Sequence, residues 1–175
     1  MIALMCGLSK SGKTSTIEAC DLASTGFIHV RASTLLKDDG RPIASLRASD
    51  VFLNQEALVR TLTDAPYRGR DILLDGHLLI ETADGPQLVP DSCLEPLPLG
   101  VVILFQAQAE QVAQRRAGTA SAILPEEARR LMALEAVQAE RVALRRRVPF
   151  LCAGPGDAQL LKNTLTQLRQ AAGSH

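Results

Sequence analysis

Gly7-Leu8-Ser9-Lys10-Ser11-Gly12-Lys13-Thr14 fits the pattern of glycine, four residues, then Gly-Lys-Thr. This is the spacing of a loop that wraps phosphate with its backbone N–H groups, and a helix starting at its end adds the positive end of its dipole. Gly7 and Gly12 fit because a Cβ would block left-handed turns or hold a phosphate away. In such a loop Leu8, Ser9, Lys10, Ser11 and Ser15 supply N–H groups and hydroxyls, and Lys13 reaches the β- and γ-phosphates of a nucleotide. The Thr14 hydroxyl binds Mg²⁺. A second run, Asp71-Ile72-Leu73-Leu74-Asp75-Gly76-His77, has the form of a buried strand that delivers an acid at its carboxyl end, the edge where parallel sheets hold nucleotides. Asp75 is expected to hold Mg²⁺ directly or through a shared water. His77 either orients or deprotonates a second substrate, or hydrogen-bonds the segment that follows.

The elements that must position these groups follow from hydrophobic spacing. Short apolar runs at Ile2–Cys6, Phe27–Arg31, Asp71–Leu74, Gly100–Phe105 and Val148–Cys152 read as strands. Helices are expected at Lys13–Ser24, Asp50–Thr63, Ala109–Ala117, Pro125–Arg147 and Asp157–Ala172. The alternation implies right-handed crossovers and an α/β fold, a five-stranded parallel sheet with helices on both faces. In the fourth helix Glu126 and Glu127 open the first turn and Arg145, Arg146 and Arg147 close the last, each sign matching the macrodipole, so the arginine run reads as helix-end charge. Residues 77–90 interrupt the alternation: Leu78–Thr82 and Gln87–Val89 flank Ala83-Asp84-Gly85-Pro86, a hairpin signal, so an added β-hairpin is expected after the third strand. Pro90, Pro96 and Pro98 are expected to keep the following connection extended.

Composition bounds the rest. The chain has 175 residues, 46% of them hydrophobic, consistent with one domain spanning 1–175. With 19 basic and 19 acidic residues, no global field draws it to nucleic acid or an acidic membrane, so its partners should be small. Aromatic residues are 3% of the chain, leaving the core to aliphatic side chains. Cys6, Cys20, Cys93 and Cys152 are far apart, which suggests neither a zinc site nor a disulfide framework and fits reduced thiols in a cytoplasm. The early phosphate loop leaves no room for a cleavable signal peptide, and no apolar run approaches a membrane span.

The order of these motifs resembles the nucleoside monophosphate kinases, especially the adenylate kinase-like branch of the P-loop kinases. Leu73-Leu74-Asp75-Gly76 is similar to that family's Leu-Leu-Asp-Gly, and Glu110–Arg115 looks like its helix whose arginine lies against the adenine. His29–Lys37 resembles its acceptor-binding entry, implying that Ser33 and Lys37 meet the acceptor. Ala153–Asp157, with Gly156, looks like its adenine-flanking loop. The resemblance implies ATP and Mg²⁺ as cofactors and an ATP-dependent kinase that moves the γ-phosphoryl to a small acceptor, a nucleoside monophosphate being the family's own. Lys13, Asp75, Arg115, Arg116 and His77 would form its catalytic set.

Departures from the family are as informative. His77-Leu78-Leu79 stands where adenylate kinases carry an aromatic-Pro-Arg that grips the monophosphate. The short lid-like loop 117–125 lacks arginines, leaving Arg115, Arg116, Arg129 and Arg130 as the candidate cations. An ATPase or nucleotide-dependent switch that works through a protein partner is therefore the alternative reading, and a binding module without turnover is a third.

Overall fold

The computed structural model describes residues 1–173. In chain order the elements are β1 (Ile2–Cys6), α1 (Lys13–Ala19), β2 (Ile28–Arg31), α2 (Ala32–Asp38), α3 (Ala48–Thr63), β3 (Ile72–Asp75), β4 (Leu79–Thr82) and β5 (Gly85–Leu88). They continue with α4 (Asp91–Leu94), β6 (Leu99–Phe105), α5 (Ala109–Arg116), α6 (Pro125–Arg146), β7 (Phe150–Ala153) and α7 (Ala158–Gly173). Five strands form one sheet in the order β2-β3-β1-β6-β7, every pair parallel. This is the expected fold class.

The period of two along β1 builds both faces. Ile2, Leu4 and Cys6 enter one core with Leu58 and Leu62 of α3 and Ala139 and Val142 of α6. Ala3 and Met5 enter the other with Ile17 of α1 and Leu161 and Leu165 of α7. Both faces of the central strands are thus covered, which is why β1 and β6 read as continuous apolar runs.

The first crossover departs from expectation. α1 ends at Ala19, and the chain passes through a 3₁₀ turn at Leu22–Ser24. Ser24 Oγ donates to the Asp21 carbonyl at 2.8 Å and Thr25 Oγ1 to that of Leu22 at 2.7 Å, local bonds that compete with the helical ladder. The connection expected to stay extended contains α4, with Pro90 at its N-cap and Cys93 and Leu94 buried. Burial of those two side chains outweighs the extended bias of the prolines. α2 was not anticipated, because seven residues show too little of a helical period.

The hairpin lies where expected, as a separate two-stranded sheet. Thr82 pairs with Gly85, so Ala83 and Asp84 make the turn, and Gly85 takes φ 100°. Pro86 sits opposite Glu81, tolerated because β5 has no further partner strand. The tip docks on the start of α3: the Ala83 amide donates to the Leu46 carbonyl at 2.7 Å and the Ala48 amide to Asp84 Oδ2 at 2.8 Å.

Arg146 donates to the carbonyls of Leu94, Glu95 and Leu97, and Arg145 pairs with Asp91 at 2.6 Å. These two arginines tie the end of α6 to α4. Among the described residues no helix is long and apolar enough to cross a membrane.

Candidate active site

A cavity of about 830 Å³ opens at the carboxyl edge of the sheet. The loop between β1 and α1 forms its floor. Gly7 takes φ 146°, and a Cβ there would run into the Phe105 carbonyl oxygen; Gly12 takes φ 110°, and its Cβ would lie 3.1 Å from Arg115 Nη1. Both positions therefore demand glycine. Ser9, Lys10, Ser11, Gly12, Lys13, Thr14 and Ser15 all line the cavity, whereas Leu8 turns into a small apolar cluster with Leu79 and Val112.

Lys13 is buried, and its Nζ donates to the Gly7 carbonyl at 2.5 Å and the Leu8 carbonyl at 3.3 Å, with Asp75 Oδ1 at 3.9 Å. Burial lowers its pKa, while Asp75 and Glu135 pull the other way. Thr14 Oγ1 donates to Asp75 Oδ2 at 3.3 Å. Burial alone would raise the Asp75 pKa, but His29 and Lys13 outweigh it and hold the carboxyl below its ordinary range. Asp75 and Thr14 therefore bring an anionic oxygen and a hydroxyl together beside the loop, a hard donor pair that suits Mg²⁺, an ion that takes one or two carboxylates and completes its shell with phosphate and water.

His77 Nδ1 lies 2.6 Å from the Gly7 carbonyl oxygen. A carbonyl only accepts, so Nδ1 carries the proton and Nε2 is a bare acceptor. Burial, reinforced by Lys13, lowers the His77 pKa to about 3, so the ring is neutral at pH 7.

Arg115 lines the cavity, donating through Nη1 to the carbonyls of Ser11 at 2.5 Å and Lys10 at 3.3 Å. Gly156 and Pro155 line the same side. Arg116, expected beside it, is elsewhere. Its guanidinium is fully buried, paired with both oxygens of Glu81 in β4 at 2.9 and 2.7 Å and with the Ser9 carbonyl at 3.2 Å. It does not line the cavity; it ties the hairpin to the loop between β1 and α1. Arg129 and Arg130 are exposed and paired with Glu110 and Glu127, away from the cavity lining.

On the opposite side Ser33 lines the cavity, but Lys37 does not. Leu35 and Leu36 of α2 pack into the core, and this turns Lys37 to solvent in the last turn. Arg31, at the end of β2, occupies the cavity wall instead. Sequence reading missed it, although its place at the end of an edge strand, in register with Asp75, is the available signal.

Glu135 was missed too. It is an acid on the buried stripe of α6, between Leu131 and Ala139, and that placement marks it in the sequence. Oε1 accepts the Gly7 amide at 2.9 Å and the Leu78 amide at 3.0 Å, while Oε2 is buried without a hydrogen-bond partner. One carboxylate oxygen thus clamps both segments that the His77–Gly7 bond joins.

No protein-family model matches the sequence, and no curated protein matches it. Solved structures do. A gluconokinase from Sinorhizobium meliloti 1021 aligns over 99% of this chain and 93% of that chain, with 17% identity and a TM-score of 0.54. A shikimate kinase from Acinetobacter baumannii in complex with shikimate aligns over 98% and 93%, with 18% identity and a TM-score of 0.62. The chain has the fold of these two kinases, a five-stranded parallel sheet covered by helices on both faces.

Proposed function

We propose that this protein is an ATP- and Mg²⁺-dependent phosphotransferase that moves the γ-phosphoryl of ATP to a small acceptor, working in the cytoplasm. The observation that carries this reading is one cavity lined by Lys13, the Thr14–Asp75 pair, Arg115, His77, Arg31 and Ser33. The loop amides and Lys13 hold the phosphates, and Arg115 lies toward the adenine with Gly156. Asp75 and Thr14 hold Mg²⁺, which neutralises phosphate charge when bound. Most of the catalysis is positioning and charge stabilisation. The acceptor's hydroxyl oxygen bonds to the γ-phosphorus as the bond to the bridging oxygen of ADP breaks; Nε2 of the neutral His77 ring accepts a hydrogen bond from that hydroxyl and orients it, and the hydroxyl proton passes to an oxygen of the transferred phosphoryl group. The adenylate kinase-like resemblance makes a nucleoside monophosphate one acceptor to test.

An ATPase or switch acting through a protein partner is the second reading. It is favoured by the connection between α5 and α6, where residues 117–124 contain no arginine, and by the outward ion pairs of Arg129 and Arg130. ADP release from Mg-ATP separates the two. Measured alone and then with nucleoside monophosphates, sugar acids and other hydroxylated anions, acceptor-dependent release supports the kinase. Acceptor-independent release supports the ATPase, and no release with any addition overturns both.

A further inference from the structure

Strand order divides the cavity into two flanks. Arg115, Pro155 and Gly156 follow β6 and β7 on one side of the phosphate loop; Arg31, Ala32 and Ser33 follow β2, and Asp75 and His77 belong to the β3 end, on the other. The nucleotide takes the first flank in the reading above, leaving the second to the acceptor.

Arg31 is the one cation among the residues lining that second flank. It is the ladder partner of Asp75, so its backbone stands about one strand spacing, roughly 4.8 Å, from the residue beside Thr14. Its guanidinium meets Glu18 Oε1 at 3.0 Å through Nη2, with side chains 44% and 64% exposed. Such an exposed pair exchanges readily, and the planar fork retains donors for a second, bidentate anion. The neighbouring wall is small: Ala19, Ala32 and Ser33. No Phe, Tyr or Trp lines the cavity to stack a second base, the His77 ring being tied to the Gly7 carbonyl, and the whole volume of about 830 Å³ must also hold the nucleotide.

We propose that the second flank binds a compact hydroxylated anion, a hydroxy acid or a small phosphate ester, and that Arg31, not Lys37, reads its charge. The proposal rests on the kinase reading. Arg31 takes the carboxylate or phosphate as it leaves Glu18, Ser33 offers a hydroxyl beside it, and the acceptor's own hydroxyl points to Nε2 of His77. A short acceptor suffices because Arg31 and the Mg²⁺-binding pair stand on adjacent strands.

The test is calorimetry on the full chain saturated with Mg²⁺ and a non-hydrolysable ATP analogue, so that the phosphate loop is filled. Inorganic phosphate and glycerate are then titrated separately, and whichever binds identifies phosphate or carboxylate as the group recognised. At least one should bind the wild type at a single site. Arg31→Ala should weaken that binding about tenfold or more, the loss expected for a charge-assisted bidentate contact, and Arg31→Lys should restore part of it. Circular dichroism confirms that the variants are folded, as the exposure of Arg31 predicts. Binding of neither probe, an unchanged affinity in Arg31→Ala, or a loss confined to Lys37→Ala would overturn the proposal. So would adenosine monophosphate binding about tenfold or more tighter than both probes, which would reveal a base-binding pocket. Failure of the ATP analogue itself to bind removes the nucleotide reading, a result distinct from all of these.

Discussion

Lys13 and Arg115 hold the phosphate loop by different means. Lys13 satisfies its buried ammonium on loop carbonyls that phosphate oxygens would replace, so Lys13→Ala should lower phosphoryl transfer about 10³-fold while leaving the circular dichroism spectrum unchanged. Near wild-type ADP formation by that variant would remove Lys13 from the mechanism. Arg115 covers Gly12 and bonds the carbonyls of Ser11 and Lys10, so it steadies the loop, and in the proposed function it also offers a face to the base. Stacking of a guanidinium contributes roughly 1 kcal/mol or somewhat more, and Arg115→Ala should raise the ATP dissociation constant about tenfold by calorimetry. An unchanged constant would leave Arg115 only its loop contacts.

At the scale of elements, α6 reaches the phosphate loop through Glu135. Its buried oxygen satisfies two amides, so Glu135→Leu orphans both and should cost about 2–4 kcal/mol in urea unfolding. Glu135→Gln keeps an acceptor and should cost far less. Burial raises the Glu135 pKa, with Lys13 and the amides of Leu78 and Gly7 opposing. A carboxyl raised in the folded state binds more protons folded than unfolded. Its contribution to stability is therefore complete below the ordinary glutamate range and is lost as pH rises through the folded pKa. Unfolding between pH 4 and 8 should thus show a smaller decline for Glu135→Gln than for the wild type; identical profiles would mean that Glu135 is not raised. The hairpin is joined to the same loop by Arg116, which bonds Glu81 and the Ser9 carbonyl, and to α3 by Asp84, so it bridges the loop and α3.

For the whole molecule, binding at one cavity between the flanks should register as global stability. A ligand that binds only the folded state adds about 2.7 kcal/mol at a hundredfold excess over its dissociation constant, a rise in Tm of roughly 5–10 °C for a chain of this size. Mg-ADP should produce it in the wild type and not in Lys13→Ala, read by differential scanning fluorimetry; equal shifts in both would place nucleotide elsewhere. The sequence by itself determined the sheet and the glycine loop that floors the cavity. Short continuous apolar runs, the glycine spacing of the loop and the acid closing β3 are local patterns, each legible within a few consecutive residues. Even the hairpin declared itself through Asp84-Gly85 between β-type runs. Tertiary structure decided the rest, because the choice between Arg115 and Arg116, or between Arg31 and Lys37, depends on which side of an element meets a distant partner. Arg116 is claimed by Glu81, 35 residues earlier in the chain, and Lys37 is turned outward by the burial of Leu35 and Leu36. Glu135 reaches Gly7 across 128 residues, a pairing that no local spacing encodes, since it exists only once α6 has packed on the sheet.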